Sequence, residues 1–171
     1  TESLTFLHAA DLHHGAPFRG LAKVSPAWAA RLVQAIPEAF DRVIDAAISR
    51  KVDFVVIAGD VFDASRASYG DYLRFFEGMR ALGKAGIPVY LITGNHDPYT
   101  SWQQSAFSLP ENAHMLPADK PGFELYRRDG KPLCIIGGRG YYNQSWPIDE
   151  CIADGITRSA ALIALQQREP D

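Results

Sequence analysis

Three short apolar segments, separated by two longer segments with helical periodicity, constrain the fold of this chain most strongly. The apolar segments are 4–10, 53–59 and 88–93. Because each is apolar on both faces, they predict buried strands of a parallel sheet. The order strand, helix, strand, helix, strand over residues 4–93 therefore predicts an α/β fold made of βαβ units with right-handed crossovers.

The two intervening segments carry recognisable helix signals. Apolar residues recur at helical spacing over 26–48, although Pro37 is expected to kink or split that helix. Ser68 and Asp71 resemble a capping box at the start of the second helix, and Gly86 is suited to end it. The aromatic stripe of the second helix is expected to lie in the core rather than to bind a cofactor.

Weaker signals follow residue 100. The segment 113–116 predicts a short strand, and 159–167 predicts a helix. Between them, Asp129 and Gly130 separate two strand-like segments, and an Asp-Gly pair suits the type I′ turn of a β-hairpin.

Composition bounds the class of protein. The chain has 171 residues, is 47% hydrophobic and carries a formal net charge of −3, which is typical of one globular domain without overall basic character. Its apolar segments are too short to cross a membrane, and its first ten residues do not resemble a signal peptide. Two cysteines outside any C-x-x-C motif, Cys134 and Cys151, favour a reducing, cytoplasmic environment.

Polar side chains follow each of the three predicted parallel strands. They are Asp11 and His13 after the first strand, Asp60 and Asp63 after the second, and Asn95, His96 and Asp97 after the third. Turn formation alone would explain any one of these groups. However, the carboxyl ends of parallel strands meet at one sheet edge, where ligands bind, so the three groups together predict a shared site.

The residue types indicate the chemistry of that site. Carboxylate, imidazole and amide groups suit Mn²⁺, Zn²⁺ or Fe²⁺, and no thiolate is available in these loops. A carboxylate such as Asp60 can bridge two metal ions, and a pair of ions about 3.5–4 Å apart is a common arrangement for hydrolysing phosphoesters. No Walker-type phosphate loop is present, which argues against a nucleotide kinase or ATPase.

The segments ADLHHG, AGDVFD and TGNHD resemble the first three motifs of calcineurin-like metallophosphoesterases, D-x-H, G-D and G-N-H-D/E. Within that superfamily, residues 4–140 are similar to the SbcD-type DNA repair exonucleases. The resemblance implies that residues 1–171 belong to one metallophosphoesterase domain, the first half of a two-sheet sandwich flanked by helices. It implies two-metal hydrolysis of DNA phosphodiesters, most often with Mn²⁺. The expected partners are DNA, a coiled-coil ABC-type ATPase and a second copy of the chain, without a membrane.

The resemblance also assigns roles to individual residues. Four of them would bind metal: Asp11, His13, Asp60 and Asn95. Asp60 would bridge the two ions. His96 would act on the scissile phosphate or the leaving group, and Asp97 would orient its ring. These two residues are the expected catalytic residues.

The chain departs from the family pattern in two places. Asp63 stands where several family nucleases have a histidine, and it is expected to form hydrogen bonds within its loop. The family's later histidine and its G-H-x-H motif are absent from residues 1–171, since His114, an expected surface strand residue, lacks that context. The chain is therefore expected to stop before the last metal ligands and to bind metal weakly. A small-substrate phosphoesterase and a non-catalytic binding module remain as alternative functions.

Several other residues have both a structural and a functional interpretation. His8 is expected to pack within the first strand, and His14 could pack or could touch metal or substrate. Four basic residues, Arg19, Lys23, Arg66 and Arg139, could meet phosphates, although a solvated surface is the simpler expectation. Three aromatic residues, Tyr141, Tyr142 and Trp146, could stack on bases, although packing at the edge of the hairpin is the simpler expectation.

Overall fold

Four parallel strands form the central sheet, in the order in which they occur along the chain. They are β1 (Phe6–Ala9), β2 (Phe54–Ala58), β3 (Val89–Ile92) and β4 (Ala113–Met115). The computed structural model describes residues 3–16, 23–103 and 107–167. All three pairs of neighbouring strands run parallel, which confirms the parallel sheet predicted for the first three strands. The short strand predicted at 113–116 is also confirmed, and it joins the same sheet beside β3.

The helices are α1 (Pro26–Ser49), α2 (Tyr69–Lys84), α3 (Tyr99–Gln103) and α4 (Arg158–Gln166). The capping box at the start of α2 is confirmed, because the side chains and backbone N–H groups of Ser68 and Asp71 bond reciprocally. Pro37 does not split α1, because the helix continues without a break from Pro26 to Ser49, while the kink expected as the alternative stays a prediction. Ala29 is buried before Pro37 and Phe40 is buried after it.

Alternate residues of the strands divide between two apolar layers. On one face of the sheet, Val55 and Ile57 of β2 pack against the aromatic stripe of α2 and the buried face of α1. On the other face, Phe54 and Tyr90 pack against Tyr126 of a β-hairpin. A period of two residues along a strand produces this division, because successive side chains point to opposite faces.

The predicted hairpin is confirmed as β5 (Gly122–Arg128) and β6 (Lys131–Gly138), which pair in antiparallel fashion. Asp129 and Gly130 have φ angles of 53° and 79°, and a type I′ turn requires positive φ at both central residues. The molecule is thus layered as helices, parallel sheet and hairpin, and the α/β prediction is confirmed.

A half-buried carboxylate fastens the hairpin to the start of β2. Asp53 accepts hydrogen bonds from the backbone N–H of Thr5, the hydroxyl of Tyr126 and the guanidinium of Arg128. Burial by itself would raise the pKa of Asp53, but these donors outweigh it and hold the pKa below its usual value. Residues from the first strand segment, the second strand and the hairpin thereby meet at one charged group.

The first strand differs from its prediction. β1 lies at the edge of the described sheet, with a strand on one side only, and each of its four residues is exposed or half-buried rather than buried. Phe6 is 56% exposed, and His8 is exposed rather than packed. His114, by contrast, is an exposed residue of β4, as expected.

Within the described ranges, the helices are too short or too polar to cross a lipid bilayer.

Candidate metal centre

Three side chains with metal-binding chemistry converge where β1 and β2 end. Asp11, His13 and Asp60 each offer one ligand atom, and these atoms all lie within 4.8 Å of one another. His13 Nε2 is 3.8 Å from Asp11 Oδ1 and 4.0 Å from Asp60 Oδ2. The Asp60 side chain is only 14% exposed, whereas that of Asp11 is 74% exposed. The cluster is therefore anchored on Asp60 and open to solvent beside Asp11.

The backbone of these residues has an uncommon conformation. Asp11, His13 and Asp60 have φ angles of 54°, 46° and 49°, in the left-handed region that non-glycine residues seldom adopt. Hydrogen bonds between the two loops hold this conformation: the N–H of Asp11 donates to Gly59 and the N–H of His13 donates to Asp60. Such strain costs roughly 1–3 kcal/mol per residue, so the surrounding structure must impose it.

The loop after β3 reaches the cluster through two glycines in contact. A Cβ at Gly94 would collide with Oδ1 and the backbone nitrogen of Asp60, so this position requires glycine. Gly59 faces it with a φ of +81°, and a Cβ there would lie 3.0 Å from the Gly94 Cα. The absence of both side chains lets the loops after β2 and β3 touch.

That contact places His96 beside the cluster. The backbone N–H of His96 donates to Asp60 Oδ1 at 2.9 Å, and its exposed ring lies edge-on to the His13 ring with centroids 5.0 Å apart. Asn95 immediately precedes His96 and is exposed. The third polar group predicted from the sequence thus adjoins the first two, while the role of Asn95 as a ligand stays a prediction.

Asp97 has different partners from those expected. Its side chain is fully buried, and its two oxygens accept hydrogen bonds from four backbone N–H groups, those of Asp60, Val61, Phe62 and Gly94. Among the described hydrogen bonds, none joins it to the His96 ring. The expectation that Asp97 orients that ring is therefore corrected, because both oxygens are already engaged in joining the loops after β2 and β3.

Burial raises the pKa of Asp97 to about 6, although the N–H donors from Gly94, Phe62 and Val61 oppose this increase. The ionised carboxylate suits this position, because its four hydrogen-bond partners are all backbone donors.

His14 points away from the metal centre and into the helix-side core. Its backbone pairs with that of Phe62, which continues the pairing of β1 and β2 beyond the strand ends. His13 lies in the metal-binding cluster, whereas the ring of the adjacent His14 lies in the core. The His14 ring is fully buried among Phe40, Phe62 and Phe75, and neither ring nitrogen has a hydrogen-bond partner.

Burial lowers the pKa of His14 to about 4, so the ring is neutral at physiological pH. Of the two interpretations open from the sequence, the structure supports packing.

Most of the remaining candidate residues contact other parts of the protein. Asp63 accepts hydrogen bonds from Ser65 and Arg66 within its own loop, as expected. Arg139 lies over the Trp146 ring, 4.7 Å from its centroid, and donates to the Asp119 carbonyl. These contacts account for Arg66 and Arg139 without phosphate. Lys23 lies on the exposed surface, and Arg19 lies outside the described residues.

The three aromatic residues after the hairpin differ in their contacts and exposure. Trp146 packs edge-on against Tyr141 and donates from Nε1 to the Glu150 carbonyl, whereas Tyr142 is 45% exposed. Packing therefore accounts for Tyr141 and Trp146.

The donor set fits a divalent cation. Ligands about 2.0–2.2 Å from one ion lie at most about 4.4 Å apart, and His13 is within that limit of both Asp11 and Asp60. Among the described residues, no lysine or arginine forms an ion pair with either carboxylate. The repulsion between the carboxylates would therefore be relieved by a bound cation.

Comparison with known sequences identifies the class of protein that this fold and site define. Residues 4–168 match the calcineurin-like phosphoesterase family. The chain belongs to this family, and the resemblance inferred from the three motifs is thereby confirmed.

Three individual relatives illustrate the similarity to proteins of this family. The chain is 34% identical to the uncharacterized metallophosphoesterase YhaO of Bacillus subtilis over 138 residues, which are 81% of this chain and 34% of YhaO. It is also 34% identical to the DNA double-strand break repair protein Mre11 of Aeropyrum pernix over 128 residues, 74% of this chain and 28% of that protein. It is 34% identical to Mre11 of Archaeoglobus fulgidus over 113 residues, which are 66% of this chain and 24% of that protein. The chain thus spans about a third or less of the length of these relatives.

One component of the site was missed in the sequence. Thr93 is almost fully buried, and it exchanges hydrogen bonds with Tyr141: the Tyr141 N–H donates to the Thr93 carbonyl, and Thr93 Oγ1 donates to the Tyr141 carbonyl. Gly140 permits this approach, since a Cβ there would collide with Thr93 Oγ1. The glycines of GGRG were visible, but nothing in the sequence showed which strand they would meet.

Replacing Asp97 with asparagine is expected to destabilise the fold by about 2–4 kcal/mol. One amide nitrogen would face two backbone N–H groups, and each buried donor left without an acceptor costs about 1–3 kcal/mol. Thermal unfolding should show a midpoint lowered by about 5–15 °C. Asp45→Asn, at an exposed position of α1, is the control and should change little. A loss below about 1 kcal/mol in Asp97→Asn would contradict the linking role.

Replacing His14 with leucine is expected to stabilise the protein at pH 8 by about 1–2 kcal/mol, because two unpartnered ring nitrogens leave the core. The pKa of His14, about 4 when folded, lies below the ordinary value of 6.5, so the unfolded chain binds the extra proton. The wild type should therefore lose up to about 3 kcal/mol of stability as the pH falls from 6.5 towards 4, a loss that the variant avoids.

Urea unfolding at several pH values tests this expectation. His114→Leu, at an exposed strand position, is the control and should keep the wild-type pH dependence. Lower stability of His14→Leu at pH 8 would show that the ring has a favourable polar partner.

Proposed function

We propose that the protein containing this chain hydrolyses DNA phosphodiesters with two divalent metal ions, as an exonuclease of the SbcD type. The observation that carries the proposal is the convergence of Asp11, His13 and Asp60 beside His96, at the ends of three adjacent parallel strands. The Mre11 relatives, whose names specify DNA double-strand break repair, favour DNA as the substrate.

The two oxygens of Asp60 support its proposed bridging role. Oδ2 faces the His13 ring at 4.0 Å, whereas Oδ1 accepts the N–H of His96 in the loop that also contains Asn95. Asp11 and His13 would hold one ion with Asp60, and Asn95 would contribute to the second. When bound, such ions polarise a phosphoryl oxygen and lower the pKa of water. Mn²⁺ is the proposed metal, and Zn²⁺ or Fe²⁺ would suit the same donors.

His96 is the proposed proton donor to the leaving group. Its ring is exposed and lies beside the metal centre, so a substrate phosphate bound there could come within hydrogen-bonding distance. Asp97 would act indirectly, by holding the loops in which Asp60 and His96 lie.

The remaining proposals concern the whole protein. Residues 1–171 are proposed to belong to one metallophosphoesterase domain. A coiled-coil ABC-type ATPase and a second copy of the chain are the proposed protein partners, and the cytoplasm is the proposed location. Cys134 and Cys151 are both free, which is compatible with that environment.

Metal titration of residues 1–171 should show weak binding of Mn²⁺, with no more than one ion at moderate concentration. Loss of supporting groups lowers metal affinity by about 10–100-fold, and loss of direct ligands should cost at least as much. Asp60→Asn should weaken Mn²⁺ binding further, whereas His96→Ala should leave it unchanged, because Asp60 is a proposed ligand and His96 is not. Electron paramagnetic resonance of unbound Mn²⁺ measures both effects.

Two outcomes of this titration would contradict the assignments. Loss of metal in His96→Ala would make that residue a ligand. Tight binding of two ions by residues 1–171 would show that the described residues already complete the site.

Substrate comparison separates DNA hydrolysis from its alternatives. A longer form that includes any sequence encoded after residue 171 should, with Mn²⁺, degrade linear duplex DNA and cleave bis-p-nitrophenyl phosphate. Asp60→Asn should abolish both activities. Hydrolysis of a cyclic nucleotide or a phosphomonoester without DNA degradation would favour a small-substrate phosphoesterase. Metal binding without any hydrolysis would favour a binding module.

A further inference from the structure

An open cavity lies at the carboxyl ends of β3 and β4, the same edge of the sheet as the candidate metal centre. Its volume is about 790 Å³, within the range of ligand-binding cavities. Tyr99 and Tyr142 form one side, and the segment 115–119 forms the other. The two tyrosine rings have centroids 5.9 Å apart, and Tyr142 is 45% exposed, so it presents an aromatic surface to solvent.

The tyrosine side of this cavity is fixed to the sheet. The N–H of Tyr99 donates to the Tyr141 carbonyl, and the N–H of Thr100 donates to the Tyr142 carbonyl. Tyr141 in turn exchanges two hydrogen bonds with Thr93, at the end of β3. The backbone around Tyr142 is therefore positioned by the same strand that positions His96.

The distance between the cavity and the candidate metal centre depends on the spacing of the strands in the sheet. Asp60 follows β2, and the segment 116–119 follows β4; these two strands lie about 10 Å apart across the sheet. Tyr99 lies three residues after His96 in the chain. A single nucleotide held at the metal centre by its phosphate could thus extend its base into the cavity.

The residues that line the cavity indicate which chemical class of ligand it would bind. Among the described residues that line it, none is a lysine or an arginine, and the charged one is Asp119, whose carbonyl accepts a hydrogen bond from Arg139. Two tyrosines, Met115 and Leu116 instead offer an apolar and aromatic surface. Aromatic side chains of this kind bind nucleobases by stacking, with tolerance for sequence.

We infer that this cavity is a base-binding subsite, in which Tyr142 stacks on the base of the nucleotide whose phosphate lies at the metal centre. This inference rests on the proposed hydrolysis of nucleic acid. It extends that proposal, because the subsite would favour nucleotides over phosphoesters that lack a base.

Comparing thymidine 5′-monophosphate with 2-deoxyribose 5-phosphate tests the subsite without requiring catalysis. Titrations of residues 1–171 in Mg²⁺, followed by nuclear magnetic resonance, should show tighter binding of the nucleotide by roughly 5- to 100-fold, the range expected for one stacked base. Tyr142→Ala should abolish this preference and leave binding of the sugar phosphate unchanged. Tyr142→Phe should retain it, because phenylalanine keeps the ring. Tyr69→Ala, which removes an exposed aromatic ring from α2, is the matched control and should also retain it.

The outcomes distinguish this subsite from the proposed function. Equal binding of the two ligands by the wild type, absence of binding of both, or equal weakening of both by Tyr142→Ala would overturn the subsite. Preference for the nucleotide without any DNA degradation by the longer form would support the subsite and contradict DNA hydrolysis.

Discussion

The metal centre depends on the buried carboxylate of Asp97. Its two oxygens accept four backbone N–H groups, three from the loop after β2 and one from the loop after β3. Asp60 lies in the first loop and His96 is adjacent to Asp97 in the second, so one charged group fixes the separation of both. A carboxylate surrounded by donors in a buried position is a strong and specific link, because no water can replace any of its partners.

Several features near Asp97 are energetically unfavourable. Three non-glycine residues of the cluster adopt left-handed backbone conformations, and two carboxylates approach each other without a described lysine or arginine partner. Both features oppose folding, and both suit a site that receives a cation. The layered packing of helices, sheet and hairpin supplies the stability that offsets them. His14 illustrates the same compromise, since its backbone continues the pairing of β1 and β2 while its ring occupies the core unpartnered.

The relatives place this arrangement in a wider context. One fold can carry many functions, so the match to the calcineurin-like phosphoesterase family identifies the reaction class rather than the substrate. In this chain, the cavity of Tyr99 and Tyr142 is the surface proposed to distinguish substrates, and its backbone is joined through Tyr141 to Thr93 at the end of β3.

The sequence by itself determined the architecture and which loops meet at the candidate site. Short segments that are apolar on both faces predicted the parallel strands, the period of 3.6 residues predicted both long helices, and Asp129-Gly130 predicted the hairpin turn. These signals are local, because apolar segments, capping and turn chemistry each depend on residues close together in the chain. The position of Asp11, His13, Asp60 and His96 after parallel strands predicted a common edge, since that follows from strand direction alone.

Only the tertiary structure decided the contacts made across the loops. The partners of Asp97 are the nearby Gly94 and three residues about 36 positions away, and Thr93 meets Tyr141 from 48 positions away. The exposure of His8 likewise depends on β1 lying at the edge of the described sheet, and the burial of His14 depends on the aromatic residues of α1 and α2. No local pattern encodes these facts, because a side chain's partners are set by which distant segments fold against it.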